Sequence, residues 1–137
     1  MAFPKTPAVT VDAIVERDGK ILLIKRKNEP FKDSWALPGG FVEYGEAVED
    51  ALKRELTEET GLVAEIKGFH KVYSDPMRDP RGHVISLCFI TEGAGEEMGG
   101  DDAKEARFFS PEEFLKLDLA FDHKKILREY LEQRHVL

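Results

Sequence analysis

Apolar and polar positions alternate along the first part of the chain. Residues 9–16 switch between small apolar and mostly polar side chains, a period of two that is typical of a β-strand. Asp18-Gly19, a strong hairpin signal, follows, and the apolar run 21–24 predicts the returning strand. Residues 35–37 form another short apolar run, which we expect to stop at the turn 38–40.

The second part of the chain combines helical and strand patterns. Residues 47–60 lack Pro and Gly and predict a helix, and Gly61 stands where a left-handed C-terminal cap is expected. Strands are predicted at 63–73, 83–91 and 106–109, with loops at 74–82 and 92–102. Pro111 predicts a short helical turn, and Asp122 the cap of a last helix. Mixed strands with helices and no linker predict an α+β class and one domain over residues 1–137.

The 47–60 helix carries an anomaly on the face that should be buried. At about 100° per residue, Leu52 and Leu56 share one side with Val48 and Ala51. Glu55 and Glu59 fall inside the same stripe, and Glu58 lies at its edge. The face that should meet the core therefore begins apolar and becomes acidic in its last turn.

Three forces oppose such an arrangement. Like charges three and four residues apart repel, the C-terminal end of a helix disfavours anions, and buried carboxylates lose hydration. Arg54 alone cannot neutralise three glutamates. A site for Mg²⁺, with Mn²⁺ as the alternative, relieves all three problems, because hard divalent cations prefer oxygen ligands. The other interpretation is a solvated acidic helix end, and the helix by itself favours neither.

Composition narrows the classes of function. The 27 acidic residues against 20 basic ones give a formal charge of −7, which argues against a general surface for nucleic acid or anionic membrane. Cys88 is the only cysteine, so an intrachain disulfide is excluded and a reducing compartment is the default. Neither a membrane-length apolar run nor a secretory pattern is present. We therefore expect a cytoplasmic protein.

The residues around the anomaly form a recognisable motif. Residues 40–62 read G-F-V-E-Y-G-E, seven further residues, and then R-E-L-T-E-E-T-G-L. This resembles the Nudix box, G-x5-E-x7-R-E-U-x-E-E-x-G-U with U aliphatic, and every fixed position matches. The L-P-G-G lead-in at 37–40 also looks like that family. The resemblance implies the Nudix fold, an α/β/α sandwich around a mixed β-sheet, and hydrolysis of a nucleoside diphosphate linked to another moiety.

The resemblance also implies roles for single residues. Glu55, Glu58 and Glu59 match the metal ligands of the family, and the Gly39 carbonyl is a further candidate ligand. Arg54 would orient the glutamates through charge-assisted hydrogen bonds. The remaining box positions are structural: Glu46 supports the junction of loop and helix, and Gly40 and Gly61 supply the turn and the cap.

The general base is not identified by the box. The acid-rich stretch before the 106–109 strand contains five candidates, and we rank Glu105 first because it lies just before that strand. The other four are Glu96, Glu97, Asp101 and Asp102. For most of these residues a solvated acidic loop is the favoured interpretation.

The 74–83 segment suggests the substrate. It looks like the stretch that follows the box in ADP-ribose pyrophosphatases, where a proline at about this distance marks the subfamily. Both Pro76 and Pro80 lie near the expected place, so the marker is ambiguous by itself. Arg78 and Arg81 are candidates to grip phosphate or ribose oxygens, and a stiff surface turn with solvated arginines is nearly as good an interpretation. Trp35 and Phe41, near the box, are candidates to hold the adenine ring, as is Phe31. The resemblance implies cleavage of ADP-ribose to AMP and ribose 5-phosphate.

Three alternatives stay open at this point. The substrate could be another nucleotide, such as a damaged dNTP, NADH or a sugar nucleotide. A non-catalytic nucleotide-binding sensor is the alternative of another class, although such domains typically lose box carboxylates and this chain keeps them. A binding protein with a merely solvated acidic helix is the third. The resemblance further implies a homodimer, with residues 1–10 as a segment that subunits could exchange.

Overall fold

The predicted strands and helices all form. The computed structural model describes residues 5–99 and 103–136. Within these residues the strands and helices follow the order β1 (Ala8–Arg17), β2 (Lys20–Arg26), β3 (Trp35–Ala36), β4 (Gly39–Phe41), α1 (Val48–Thr60), β5 (Val63–Tyr73), β6 (Val84–Ala94), β7 (Ala103–Phe109), α2 (Pro111–Phe114) and α3 (His123–Val136).

The strands form a mixed sheet centred on β1. The main path of the sheet is β3-β2-β1-β6-β5, with β4 paired to β1 and β7 paired to β2. β1 is parallel to β6 over eight residue pairs and antiparallel to β4 and β2. The β1–β4 register places Asp12 opposite Gly39 and Thr10 opposite Phe41. This pairing joins the first strand to the turn that precedes α1.

Helices cover both faces of the sheet because β1 alternates between two cores. Val11, Ala13 and Val15 pack with Leu52 and Leu56 of α1. The opposite face carries Ile14 of β1 and packs against α3 through two fully buried side chains, Ile126 and Leu127. The predicted α+β class and the α/β/α layering are confirmed.

Four details differ from the sequence predictions. The predicted 92–102 loop is wrong at its start, because β6 continues to Ala94 opposite Val63, and the predicted 106–109 strand starts too late, because β7 begins at Ala103 opposite Arg26. Gly39–Phe41 forms a strand, although glycines are depleted in strands. The predicted cap residue Asp122 uses its carboxylate to bind Arg78 instead.

Among the helices of residues 5–99 and 103–136, none is long and apolar enough to cross a bilayer.

Candidate active site

The acidic face of α1 points inward, as the helical wheel predicts. Glu55 and Glu59 are only 8% and 3% exposed, in line with the buried Leu52 and Leu56. The Glu58 side chain is 38% exposed and lies at the edge of the buried face. Two of the three predicted carboxylates are therefore withdrawn from water, and the third borders them.

The glycine turn at residues 38–40, whose two glycines begin β4, lies directly against these carboxylates. The Gly39 N–H donates to Glu59 Oε1 at 2.7 Å. A Cβ added to Gly39 would lie 2.1 Å from the Val11 carbonyl oxygen, and one added to Gly40 would lie 2.5 Å from the Glu55 carboxyl carbon. Gly39 thus lets the backbone approach β1 closely, and Gly40 keeps open the space that the Glu55 carboxylate occupies.

Arg54 forms hydrogen bonds with several residues of the 40–62 motif. Its Nε and Nη2 donate to the two Glu46 carboxylate oxygens at 2.8 and 3.0 Å. Its Nη1 donates to Glu55 Oε1 at 2.7 Å and to Glu58 Oε2 at 3.4 Å, and its Nη2 to the Phe41 carbonyl at 3.2 Å. The bonds from Arg54, together with the Glu43 amide, lower the pKa of Glu46 to about 2. The same carboxylates raise the pKa of Arg54, with Glu46 contributing most.

A cavity of about 250 Å³ opens between the sheet, the glycine turn and the loops. Glu55 and Glu59 line it beside Gly39 and Gly40. Leu37 and Phe41, which flank the glycines, also line the cavity, and its other walls come from residues distant in sequence: Thr10, Asp12, Arg26, Asn28, Glu29, Arg78, Asp79, Arg81, Phe121 and His123. The acidic helix thus faces a concave site where several polar groups converge, which is a feature of small-molecule sites.

Both predicted arginines reach this cavity, and each is held by a carboxylate. Arg78 Nη2 and Nε donate to Asp122 at 2.6 and 2.9 Å. Burial lowers the pKa of Arg78, but the bonds to Asp122 outweigh it, so the net pKa is raised. Arg81 binds Asp79 at 2.8 Å and stacks over the Phe41 ring at 4.7 Å. Their guanidinium planes are therefore held in place at the cavity wall.

The predicted aromatic residues separate into two groups. Phe41 lines the cavity, and Phe121, which the sequence did not single out, lines it as well. Trp35 does not line it: its ring packs edge-on against Phe109 at 4.8 Å and carries Arg107 at 5.0 Å. Phe31, half-exposed, contacts Phe121 at 4.8 Å.

The structure does not bring the first-ranked base to this site. Glu105 is exposed on β7, opposite Lys25 and 4.0 Å from Arg107, and does not line the cavity. Neither Glu96 nor Glu97 lines it. Asp101 and Asp102 lie outside the described residues. The assignment of a base to this stretch therefore stays a prediction.

Sequence reasoning missed Asp12 and His123. Asp12 is a polar position in the alternating pattern of the first strand, yet it is 6% exposed and its Oδ2 accepts a hydrogen bond from the Ser86 hydroxyl. His123 is 4% exposed, and its Nδ1 accepts the Leu37 N–H at 3.0 Å. The available signal for Asp12 was a carboxylate in a strand whose neighbouring positions are apolar. The sequence around His123 gave no such signal.

The side chains at the cavity offer carboxylate oxygens, the type of ligand that a hard divalent cation prefers. Two buried carboxylates line the cavity, a Cβ on Gly40 would collide with one of them, and no cysteine lines the cavity. In the part of the chain that the structure describes, however, no three His, Cys, Asp or Glu side chains form a ready-made metal cluster. Arg54 holds Glu55 and Glu58, and the Gly39 amide holds Glu59. Metal binding would therefore require these carboxylates to turn.

Comparisons with known proteins agree with this picture. A family model described as NUDIX domain matches residues 4–130. The ADP-ribose pyrophosphatase of Methanocaldococcus jannaschii is 60% identical over 126 residues, which cover 91% of this chain and 73% of that protein.

Two solved structures are similar in fold. The NUDIX domain of Shewanella oneidensis NrtR, complexed with ADP ribose, superposes with a TM-score of 0.83 at 28% identity, covering 94% of this chain and 89% of that one. A bifunctional NMN adenylyltransferase/ADP ribose pyrophosphatase from Francisella tularensis, complexed with AMP and a Mn ion, has a TM-score of 0.83 at 34% identity. The match covers 96% of this chain and 43% of the Francisella protein.

Proposed function

The chain belongs to the NUDIX family, and from this premise we propose that it hydrolyses ADP-ribose to AMP and ribose 5-phosphate. The family resemblance drawn from residues 40–62 is thereby confirmed. The observation that carries the proposal is the buried pair Glu55 and Glu59 facing a cavity that also holds Arg78 and Arg81. Acidic residues to hold cations and arginines to hold phosphates meet in one site, as a diphosphate substrate requires.

The box residues suit a site for Mg²⁺, with Mn²⁺ as the alternative. Glu55, Glu58, Glu59 and the Gly39 carbonyl are the proposed ligands. A bound divalent cation supplies neutralisation of the diphosphate charge and a water of lowered pKa. Arg54 orients Glu55 and Glu58 by its direct bonds, and Glu46 in turn fixes the Arg54 fork. Arg54 is thus a positioning residue. Its positive charge also reduces the repulsion among the carboxylates.

The rest of the cavity binds the substrate. In this proposal Arg78 and Arg81, which line the cavity, donate hydrogen bonds to phosphate oxygens. Phe41, which is 40% exposed and carries Arg81 over its ring, contacts a planar group such as adenine. In the reaction, water adds across one P–O bond of the diphosphate bridge; one product phosphate gains the hydroxyl oxygen, and the proton ends in solvent. Catalysis in such a site consists mainly of positioning and charge stabilisation.

A substrate panel tests the proposal. Purified protein would be given ADP-ribose, NADH, a sugar nucleotide and a damaged dNTP, with Mg²⁺ and with chelator, and the products separated by chromatography. We expect AMP and ribose 5-phosphate from ADP-ribose in Mg²⁺ only. Equal or faster turnover of another substrate would overturn the substrate assignment, and binding of ADP-ribose without turnover would favour a sensor domain.

We further propose a cytoplasmic homodimer that acts on a small nucleotide, without nucleic acid or membrane as a partner. Cys88 is a buried, unpaired thiol, which suits a reducing compartment. β5 is an edge strand of the sheet and exposes Val63, Phe69 and Val72, which supports a second copy as its cover. Residues 1–4 of the segment suggested for exchange lie outside the described residues. Light scattering would give the mass in solution, and cell fractionation would give the location.

A further inference from the structure

The wall of the cavity contains two polar atoms that the proposed mechanism does not use. His123 Nε2 and Asp12 Oδ1 lie 3.9 Å apart, too far for a hydrogen bond. Both residues are more than nine-tenths buried and both line the cavity. The hydrogen bonds that fix these side chains use their other atoms, His123 Nδ1 and Asp12 Oδ2.

The backbone fixes which of these atoms donates. The Leu37 N–H donates to His123 Nδ1 at 3.0 Å, so Nδ1 carries no proton and the neutral ring must carry it on Nε2. Burial lowers the pKa of His123, which favours the neutral ring, although Asp12 acts in the opposite direction. His123 therefore presents an N–H donor, and Asp12 presents a carboxylate acceptor beside it. A ligand group that fits this pair must accept and donate at neighbouring positions.

The position of the pair indicates which part of the substrate reaches it. Asp12 pairs with Gly39 across the β1–β4 ladder, and a Cβ on Gly39 would lie 2.5 Å from Asp12 Oδ1. The Gly39 N–H in turn binds Glu59 at 2.7 Å. The pair thus lies one backbone segment from the proposed diphosphate site. In ADP-ribose the group joined directly to each phosphate is a ribose.

We propose that Asp12 and His123 bind the vicinal hydroxyls of a substrate ribose and so determine the specificity of the site. The inference rests on the proposed function for the identity of the substrate. Each hydroxyl can donate one hydrogen bond and accept another, which matches a carboxylate beside an N–H. A carboxylate is also the group that binds ribose hydroxyls in dinucleotide sites of other folds.

Two substitutions of His123 separate ligand binding from structural support. In His123→Asn the side-chain oxygen can still accept the Leu37 N–H, but the donor at the Nε2 position is lost. In His123→Gln an N–H can reach the Nε2 position, but the acceptor for Leu37 is lost. If His123 binds ribose, the Gln variant keeps affinity and the Asn variant loses it. If His123 is purely structural, the order reverses.

The test measures product binding, which needs no turnover. Dissociation constants in Mg²⁺ would be measured by calorimetry, or by NMR titration where binding is weak, for AMP against 2′-dAMP and 3′-dAMP, and for ribose 5-phosphate against 2-deoxyribose 5-phosphate. We expect loss of the bound hydroxyl to weaken binding about tenfold in the native protein. That penalty should vanish in His123→Asn and in Asp12→Ala, which removes the carboxylate acceptor. The product pair that shows it identifies which ribose is bound.

Thr91→Val is the matched control, because Thr91 is a buried polar residue of β6 outside the cavity. Its binding constants should equal those of the native protein. Hydroxyl penalties that are the same in native and His123→Asn protein, or absence of binding by both products, would overturn the inference. Hydrolysis of ADP-ribose is measured separately. Its absence would refute the proposed function, while the hydroxyl penalties would still decide the role of Asp12 and His123.

Discussion

At the scale of single residues, the site is defined by carboxylates that the fold withdraws from water. Glu59 is 3% exposed and is held by the Gly39 N–H, and Glu55 is held by Arg54. Burying a carboxylate costs hydration free energy on the order of several kcal/mol. Each of these hydrogen bonds offsets part of that cost. Each carboxylate thus has a hydrogen-bond donor, but Glu55 still lies three and four residues from Glu58 and Glu59 on α1, where like charges repel.

Removing the charge of Glu59 should abolish activity without unfolding the protein. We expect Glu59→Gln to lower kcat by orders of magnitude, because a cation ligand is lost. The Gln side-chain oxygen can still accept the Gly39 N–H, so the melting temperature in chelator should equal or exceed that of the native protein. Glu49→Gln, at an exposed glutamate of the same helix, is the control and should leave kcat unchanged. A clear drop in melting temperature for Glu59→Gln would contradict the idea of a self-repelling cluster.

Glu46 should make stability depend on pH in the acid range. Arg54 lowers its pKa from 4.5 to about 2 in the folded protein. A lowered folded-state pKa stabilises the protein above the unfolded pKa and loses this effect as the pH falls. The difference in free energy of unfolding between native protein and Glu46→Gln should therefore shrink from pH 4.5 to about 2. Urea titrations across this range would measure it, and a difference that does not change with pH would contradict the assignment.

At the scale of elements, α1 and the glycine turn are joined by one arginine. Arg54 contacts Glu46 in the loop before α1, the Phe41 carbonyl at the end of β4, and Glu55 and Glu58 in its own helix. The helix ends at Gly61, whose φ of 76° provides the predicted left-handed cap with an N–H bond to the Thr57 carbonyl. The direction of the helix and the path of the loop are thus fixed together.

Arg54→Lys should loosen this junction. A lysine cannot make the two parallel bonds to Glu46 while also reaching Glu55. We expect a loss of roughly 1–3 kcal/mol in unfolding free energy, as is common for hydrogen bonds to charged groups, together with a lower kcat. Denaturant titration and steady-state kinetics would measure both effects. Lys53→Ala, at the exposed neighbouring position, should change neither, and an unaffected Arg54→Lys would refute the positioning role.

Gly40→Ala should separate activity from stability. The added Cβ would lie 2.5 Å from the Glu55 carboxyl carbon, so the flexible end of Glu55 must move while the backbone need not. We expect kcat to fall strongly and the melting temperature to change little. Gly68→Ala is the control, because its Cβ would meet only Ile90 at 3.9 Å. Native-like kcat in Gly40→Ala would show that the position of Glu55 is not critical.

At the scale of the whole molecule, the cavity joins parts of the chain that are far apart in sequence. β1, the glycine turn, α1, the 78–81 loop and the start of α3 all contribute to its walls. A ligand that binds several of these elements should stabilise the folded state as a unit, because it binds the native protein and not the unfolded chain.

Metal and product should therefore raise the melting temperature together. With Mg²⁺ and AMP at about 100 times their dissociation constants, linkage predicts about 2.7 kcal/mol and a rise of roughly 5–15 °C. Chelator should abolish most of the rise, because the phosphate would then face the carboxylates of Glu55 and Glu59 with no cation between them. Differential scanning fluorimetry would measure both conditions. A rise of equal size with AMP and chelator would contradict metal-assisted phosphate binding.

The sequence alone determined the features that depend on local periodicity and fixed spacing. The acidic stripe of α1, its cap at Gly61 and the Arg54 junction follow from residues close together in the chain, where helix geometry leaves little freedom. The same spacing identified the family, and the order of strands and helices indicated the class of fold.

Tertiary structure decided which distant side chains share the cavity. It placed Trp35 beside Phe109, gave Arg78 to Asp122, left Glu105 outside the cavity, and brought Asp12 and His123 together across more than a hundred residues. Such contacts depend on strand register and on packing between layers, which local patterns do not specify. For this protein the sequence therefore determined the carboxylates on the inner face of α1, and the folded structure determined which other side chains share the cavity with them.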